Sequence, residues 1–138
     1  MQSILLKIKR VEIKQFDPRK FAAIFRIFYS NNEKEFSFDF SHDFKTRSEV
    51  ITEKIIKEVK SRAKPEENYQ DDILDSLYTI KLIDGEKVEE KLINFFSKLN
   101  EKVKFLKIEK NYQRYMAQIA DFNSIKLNLE SDLNVRSR

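Results

Sequence analysis

Cysteine is missing from this chain of 138 residues, histidine and glycine occur once each, and proline occurs twice. Without thiols there are no disulfides and no thiolate metal sites, which favours an intracellular or particle-bound setting over a secreted one. With His42 as the single imidazole, a histidine metal cluster or a Cys/His dyad is excluded within one chain. Gly85 alone cannot build a phosphate-cradling loop of the GxxxxGK or GxGxxG kind. An average chain of this length carries roughly ten glycines, so few backbone positions here sit comfortably at positive φ, and long elements joined by polar connections are expected. Long apolar runs are missing as well. Ile4, Leu5 and Leu6 are interrupted at once by Lys7 and Lys9, too short for a signal peptide, and nothing approaches the roughly 20 apolar residues of a membrane span. A cytoplasmic or otherwise intracellular protein is expected, with a virus or phage particle as one setting.

Charged residues make up 36% of the chain and hydrophobic ones 41%, enough for one core. The net charge of +4 conceals a division. Residues 1–64 carry 15 cations against 9 carboxylates, residues 65–90 carry 2 against 9, and residues 91–138 carry 10 against 5. Two basic segments flank an acidic one that can pair with its own neighbours or with another copy of the chain.

The stretch FAAIFRIFYSNNEKEFSFDF, residues 21–40, organises the rest. Phe36, Phe38 and Phe40 alternate with polar residues, and Phe21, Ala23, Phe25, Ile27 and Tyr29 do the same upstream. The five polar residues 31–35 predict the turn of an antiparallel hairpin with one aromatic face. Before it, residues 3–16 read as a first strand whose apolar phase flips from even (Ile4, Leu6, Ile8) to odd (Val11, Ile13), which predicts a β-bulge or a break near Lys9 and Arg10. Asp17 and Pro18 end it.

Thr46 with Glu49 fits a capping box, and Val50, Ile51, Ile55, Ile56 and Val59 recur at helical spacing up to Lys64 and Pro65. This amphipathic helix is the natural cover for the aromatic face. Residues 67–79 predict a helix, with a short fourth strand through Tyr78, Ile80 and Leu82 as the alternative, and Asp84 and Gly85 mark a turn. From residue 86 an apolar stripe runs through Val88, Leu92, Phe95, Phe96, Leu99, Val103 and Leu106 and continues, shifted, through Phe105, Ile108, Tyr112, Tyr115, Ile119 and Phe122. One helix over 86–122 would be roughly 55 Å long, so it either breaks near Lys104, making a helical hairpin, or projects toward a partner. Ile125, Leu127 and Leu129 alternate as an edge strand would, and residues 130–138 are polar and expected to fray.

The expected fold is therefore α+β: a three-stranded antiparallel meander, with room for a fourth strand, covered by an amphipathic helix over residues 1–64. An acidic connector over 65–90 and the long helix, within residues 65–138, complete one domain. Glu12 and Lys14 with Asp39 have the residue types of a metal-dependent nuclease core, but their order differs from that of such cores, and alternating charge on a wet strand face accounts for them. Asp39, His42 and Asp43 read as surface or turn residues rather than ligands. No catalytic residue, metal ligand, cofactor or small-molecule substrate is expected. The expected function is a non-enzymatic protein-interaction or structural module that forms homo-oligomers or docks on another protein through Phe105, Ile108, Tyr112, Tyr115, Ile119 and Phe122. The alternative is nucleic-acid binding through Lys7, Lys9, Arg10, Lys14, Lys104, Lys107, Lys110 and Arg114, because cations neutralise phosphates and exposed tyrosines stack on bases.

Overall fold

The computed structural model describes residues 2–63, 78–104 and 119–130. The elements in chain order are β1 (Gln2–Asp17), β2 (Ala22–Asn31), β3 (Lys34–Asp43), α1 (Ser48–Arg62), β4 (Tyr78–Leu82), α2 (Gly85–Lys104) and β5 (Lys126–Asn128), and residues 119–123 are also helical. The fold is α+β, with a mixed five-stranded sheet in the order β3-β2-β1-β4 and β5 paired to β1 beside β4. β1, β2 and β3 form the antiparallel meander, while β4 runs parallel to residues 2–6 of β1 and β5 antiparallel to residues 10–12.

The hairpin follows from its alternation, but its turn is shorter than the five residues expected. Asn31 pairs with Lys34, and only Asn32 and Glu33 lie between, both at positive φ (49° and 75°). Two residues with φ > 0 continue the right-handed twist of the flanking strands, which makes two-residue loops of this kind favourable. Asn32 is held further by β1: its N–H donates to the Leu5 carbonyl and its side-chain oxygen accepts from the Leu5 N–H, both at 2.9 Å. Register shifts between Ile8 and Arg10 and again between Ile13 and Gln15 carry the buried phase of β1 from Ile4, Leu6 and Ile8 to Val11 and Ile13, and back to Phe16. The Lys9 carbonyl freed by the first bulge accepts the Leu129 N–H at 2.9 Å.

One face of the sheet is the core. Phe25, Ile27, Leu6 and Val11 are fully buried under Ile55 and Val59 of α1 and Leu92 and Phe96 of α2. The cover is thus shared: Phe96 meets the Phe25 ring edge-on at 5.2 Å, and Arg62 of α1 lies over the Phe38 ring at 4.6 Å. Each large side chain buried in this way contributes about 1.5–3 kcal/mol before entropy is counted. The expected capping box is overturned, because Arg47 is the N-cap of α1 and caps with no side-chain hydrogen bond. Thr46 is drawn into the preceding loop, where its N–H donates to Asp43 and its carbonyl accepts from the Asn100 side chain at 3.0 Å.

Two further expectations change. Tyr78 and Thr79 belong to a strand, so the fourth-strand alternative holds at that point, while residues 67–77 lie outside the described residues. The single straight helix over 86–122 is also overturned. Lys102 Nζ lies 3.1 Å from Asp121 Oδ2, two positions that such a helix would hold about 28 Å apart. Phe122 stacks on Phe16 at 4.2 Å and is 1% exposed. Among the described residues no helix is long and apolar enough to cross a membrane.

A candidate docking cleft at the end of the second helix

The basic residues singled out on β1 are committed to carboxylates on the outer, solvent-facing side of the sheet. Lys9 bonds Glu35 and lies 3.5 Å from Glu130, Arg10 Nε is 3.1 Å from Glu12 Oε1 and stacks over Phe28, and Lys14 Nζ is 2.9 Å from Asp39 Oδ2. Arg26 adds a second cation to Asp39 at 2.9 Å, and hydrogen bonds from Arg26 and then Lys14 hold that carboxyl down at about 2. The strand register lines up Lys126, Glu12, Arg26 and Asp39 across β5, β1, β2 and β3, with alternating sign. Exposed pairs of this kind contribute little to stability, but they leave no row of free cations for phosphates. Lys7 stands apart, half-buried beside Lys87 and Lys91 at the start of α2. Lys107, Lys110 and Arg114 lie outside the described residues, as do Phe105, Ile108, Tyr112 and Tyr115. Of the apolar stripe, Ile119 packs half-buried against the core, and Phe122 is core itself, which removes it from any surface. No group of three or more metal-ligating side chains occurs among the described residues.

A different constellation sits where β3 gives way to α1. The chain leaves β3 at Asp43, whose carboxylate accepts the Lys45 N–H at 2.9 Å and so turns the backbone toward α2. Phe44 folds inward onto Phe16 (5.8 Å) and Phe25 (6.4 Å), and its N–H donates to the carbonyl of Phe21, a corner residue at φ 49°. His42, 1% exposed, lies among Phe25, Phe44 and Phe96. It is a buried strand residue, not the surface or turn residue expected. Its Nε2 is 2.8 Å from Asn100 Oδ1, and Asn100 Nδ2 donates to the Thr46 carbonyl, which fixes the amide orientation and makes His42 the donor through Nε2. Nδ1 is buried with no partner, and burial pushes the imidazole below its ordinary value. The neutral ring pins the end of α2 to the loop before α1.

This pinning leaves a cleft of about 440 Å³ lined by Phe21, Phe44, Lys45, Thr46, Arg47, Asn100, Val103 and Lys104. Its floor is apolar and its rim carries three cations with no carboxylate. Lys45 and Lys104 form no ion pair among the described residues, and Arg47 meets only Glu49, at 3.6 Å with both side chains largely exposed. The start of α1 adds the partial positive charge of a helix N-terminus. No family model, no curated protein and no solved structure matches this chain. Its function is therefore read from the cleft's own chemistry. Among the described sequence candidates only Lys104 belongs to it. Lys45 and Arg47 stand on either side of Thr46 where a helix was expected to start, but nothing in their spacing points to Asn100 or Phe21, which only the tertiary fold brings to them.

Proposed function

We propose that the chain is a non-enzymatic protein-interaction module that assembles with further copies of itself, docking through the face around Lys45, Arg47 and Lys104. The observation that carries this reading is the cleft: an apolar floor with Lys45 and Lys104 unpaired among the described residues and Arg47 paired only with the exposed Glu49 suits a carboxylate-bearing, partly apolar segment of another chain better than it suits solvent alone. On the outer face Glu12, Glu35 and Asp39 are engaged by cations, and the imidazole is buried. In sequence, Lys104 of the rim immediately precedes Phe105, the first residue of the stripe expected to mediate assembly. Light scattering on a sizing column at low and high salt tests the proposal. A defined oligomer at low salt that loosens as salt rises is the expected result. A monomer in low salt at every concentration refutes self-assembly.

A further inference from the structure

The segment between α1 and β4 has the composition that the cleft asks for. Residues 65–77, PEENYQDDILDSL, carry five carboxylates and no cation, interspersed with Tyr69, Ile73, Leu74 and Leu77. The same molecule cannot bring this segment to its own cleft. The segment starts after Ala63, at the far end of α1, about 22 Å from the cleft at 1.5 Å for each of the 15 residues of that helix. It must finish at Tyr78, which pairs with Gln2, whereas the cleft adjoins Phe16 at the other end of β1, about 40 Å away along a strand shortened by its two bulges. A path from Ala63 to the cleft and on to Tyr78 spans about 62 Å, while a fully extended chain between those two residues reaches about 54 Å.

We propose, building on the self-assembly reading above, that the cleft of one copy receives the acidic segment 65–77 of another copy. Carboxylates of the segment pair with Lys45, Arg47 and Lys104, and an apolar side chain rests on Phe21, Phe44 and Val103. Ala63 and Tyr78, which bracket the segment, both lie away from the cleft, so the proposed contact is head-to-tail. It closes into a dimer if two copies exchange segments side by side in antiparallel fashion, and into a ring or an open array if they do not. Opposite charge sets the encounter rate and the register, and burial of the apolar anchor supplies the persistence.

The test uses a fluorescein-labelled peptide of residues 64–78 titrated into the full-length chain whose own segment has been neutralised (Glu66→Gln, Glu67→Gln, Asp71→Asn, Asp72→Asn, Asp75→Asn), so that its cleft is vacant. Saturable binding at one peptide per chain is expected. It should weaken at least about tenfold when Lys45→Glu and Lys104→Glu are added, with a smaller loss for Lys45→Gln and Lys104→Gln. Circular dichroism shows that each variant is folded. Absent binding, or binding indifferent to charge reversal, overturns the assignment of the segment. The mass of the unaltered chain in the same buffer separates the two readings: an oligomer that ignores the peptide result overturns only the segment, and a monomer with no peptide binding overturns self-assembly as well. Mixing the neutralised-segment chain with the reversed-cleft chain should restore a 1:1 complex, since each then supplies what the other lacks; two separate monomers would count against the pairing.

Discussion

Mild acidification should weaken this protein, and His42 is the cause. The ring is 1% exposed, donates through Nε2 to Asn100, and keeps a bare Nδ1 among Phe25, Phe44 and Phe96. Protonation would bury an unpaired charge there, so the folded value lies below the ordinary 6.5. The unfolded chain therefore takes up a proton that the folded chain refuses, and stability falls as pH falls below about 6.5. The limiting slope is about 1.4 kcal/mol per pH unit for one proton, which gives a loss of up to about 1.4 kcal/mol between about pH 7.5 and about pH 5.5. Because this is the only histidine and Asp39 is held at about 2, neither a second imidazole nor Asp39 competes in that window. Urea unfolding followed by circular dichroism at constant salt measures the loss as a lower midpoint. In Asn100→Asp the new carboxylate facing Nε2 should raise the imidazole value above 6.5, and the sign then inverts. Stability from the pair is present at low pH and lost as pH rises through the raised value. A midpoint that stays flat in the native chain, or a slope that keeps its sign in Asn100→Asp, would refute the reasoning.

Three other substitutions probe the rest of the frame. Phe122→Ala removes a ring stacked on Phe16 and should cost about 3–5 kcal/mol in denaturant unfolding; a cost under about 1 kcal/mol would show that residues 119–123 do not belong to the core. Thr52→Val replaces a fully buried hydroxyl that has no hydrogen-bond partner and should raise the melting temperature, the gain being about 1 kcal/mol, whereas a loss would reveal a bonded hydroxyl. Glu33→Gly puts the residue preferred at φ 75° into the hairpin turn and should stabilise by roughly 1 kcal/mol, measured by the same melt; destabilisation would mean that the turn has another geometry.

Much of the sheet was legible because side-chain alternation is a local property. The aromatic hairpin, the bulge beside Lys9 and the edge strand around Leu127 all follow from where the apolar phase holds or flips. The second flip was present too, in Phe16 returning to the even phase after Val11 and Ile13. The turn length was misjudged because Asn32 and Glu33 adopt positive φ without a glycine, and the contacts that stabilise this come from Leu5, more than twenty residues away. The same kind of distant competitor explains the cap. Asn100 claims the carbonyl of Thr46, and the helix starts one residue later than the local pattern suggests. β4 reads ambiguously because five residues satisfy both periods, and only the parallel pairing with β1 decides between them. The cleft was illegible for a related reason. Its floor comes from residues whose apolar character predicts only burial, and its rim from cations that look like any solvated surface. What makes them a site is the Asn100 bridge between the end of α2 and the loop before α1.

β1 has a consequence for how the protein is made. One edge of this strand is taken by β2, a neighbour in sequence, but the other is divided between β4 and β5, the latter more than one hundred residues away. During synthesis the hairpin and α1 can assemble early, from local contacts. Residues 2–6 of that second edge wait for residues 78–82, residues 10–12 stay without partners there until residues 126–128 have left the ribosome, and such long-range closure is slow. For that interval the nascent chain presents an unpaired strand edge, the feature most prone to pair with the wrong chain. Glu12, Glu35 and Asp39 belong to β1 and to the early hairpin, so Arg10 and Lys14 are paired from the start, and Lys7, with Lys9 until Glu130 joins Glu35 beside it, is left to keep like edges apart by charge.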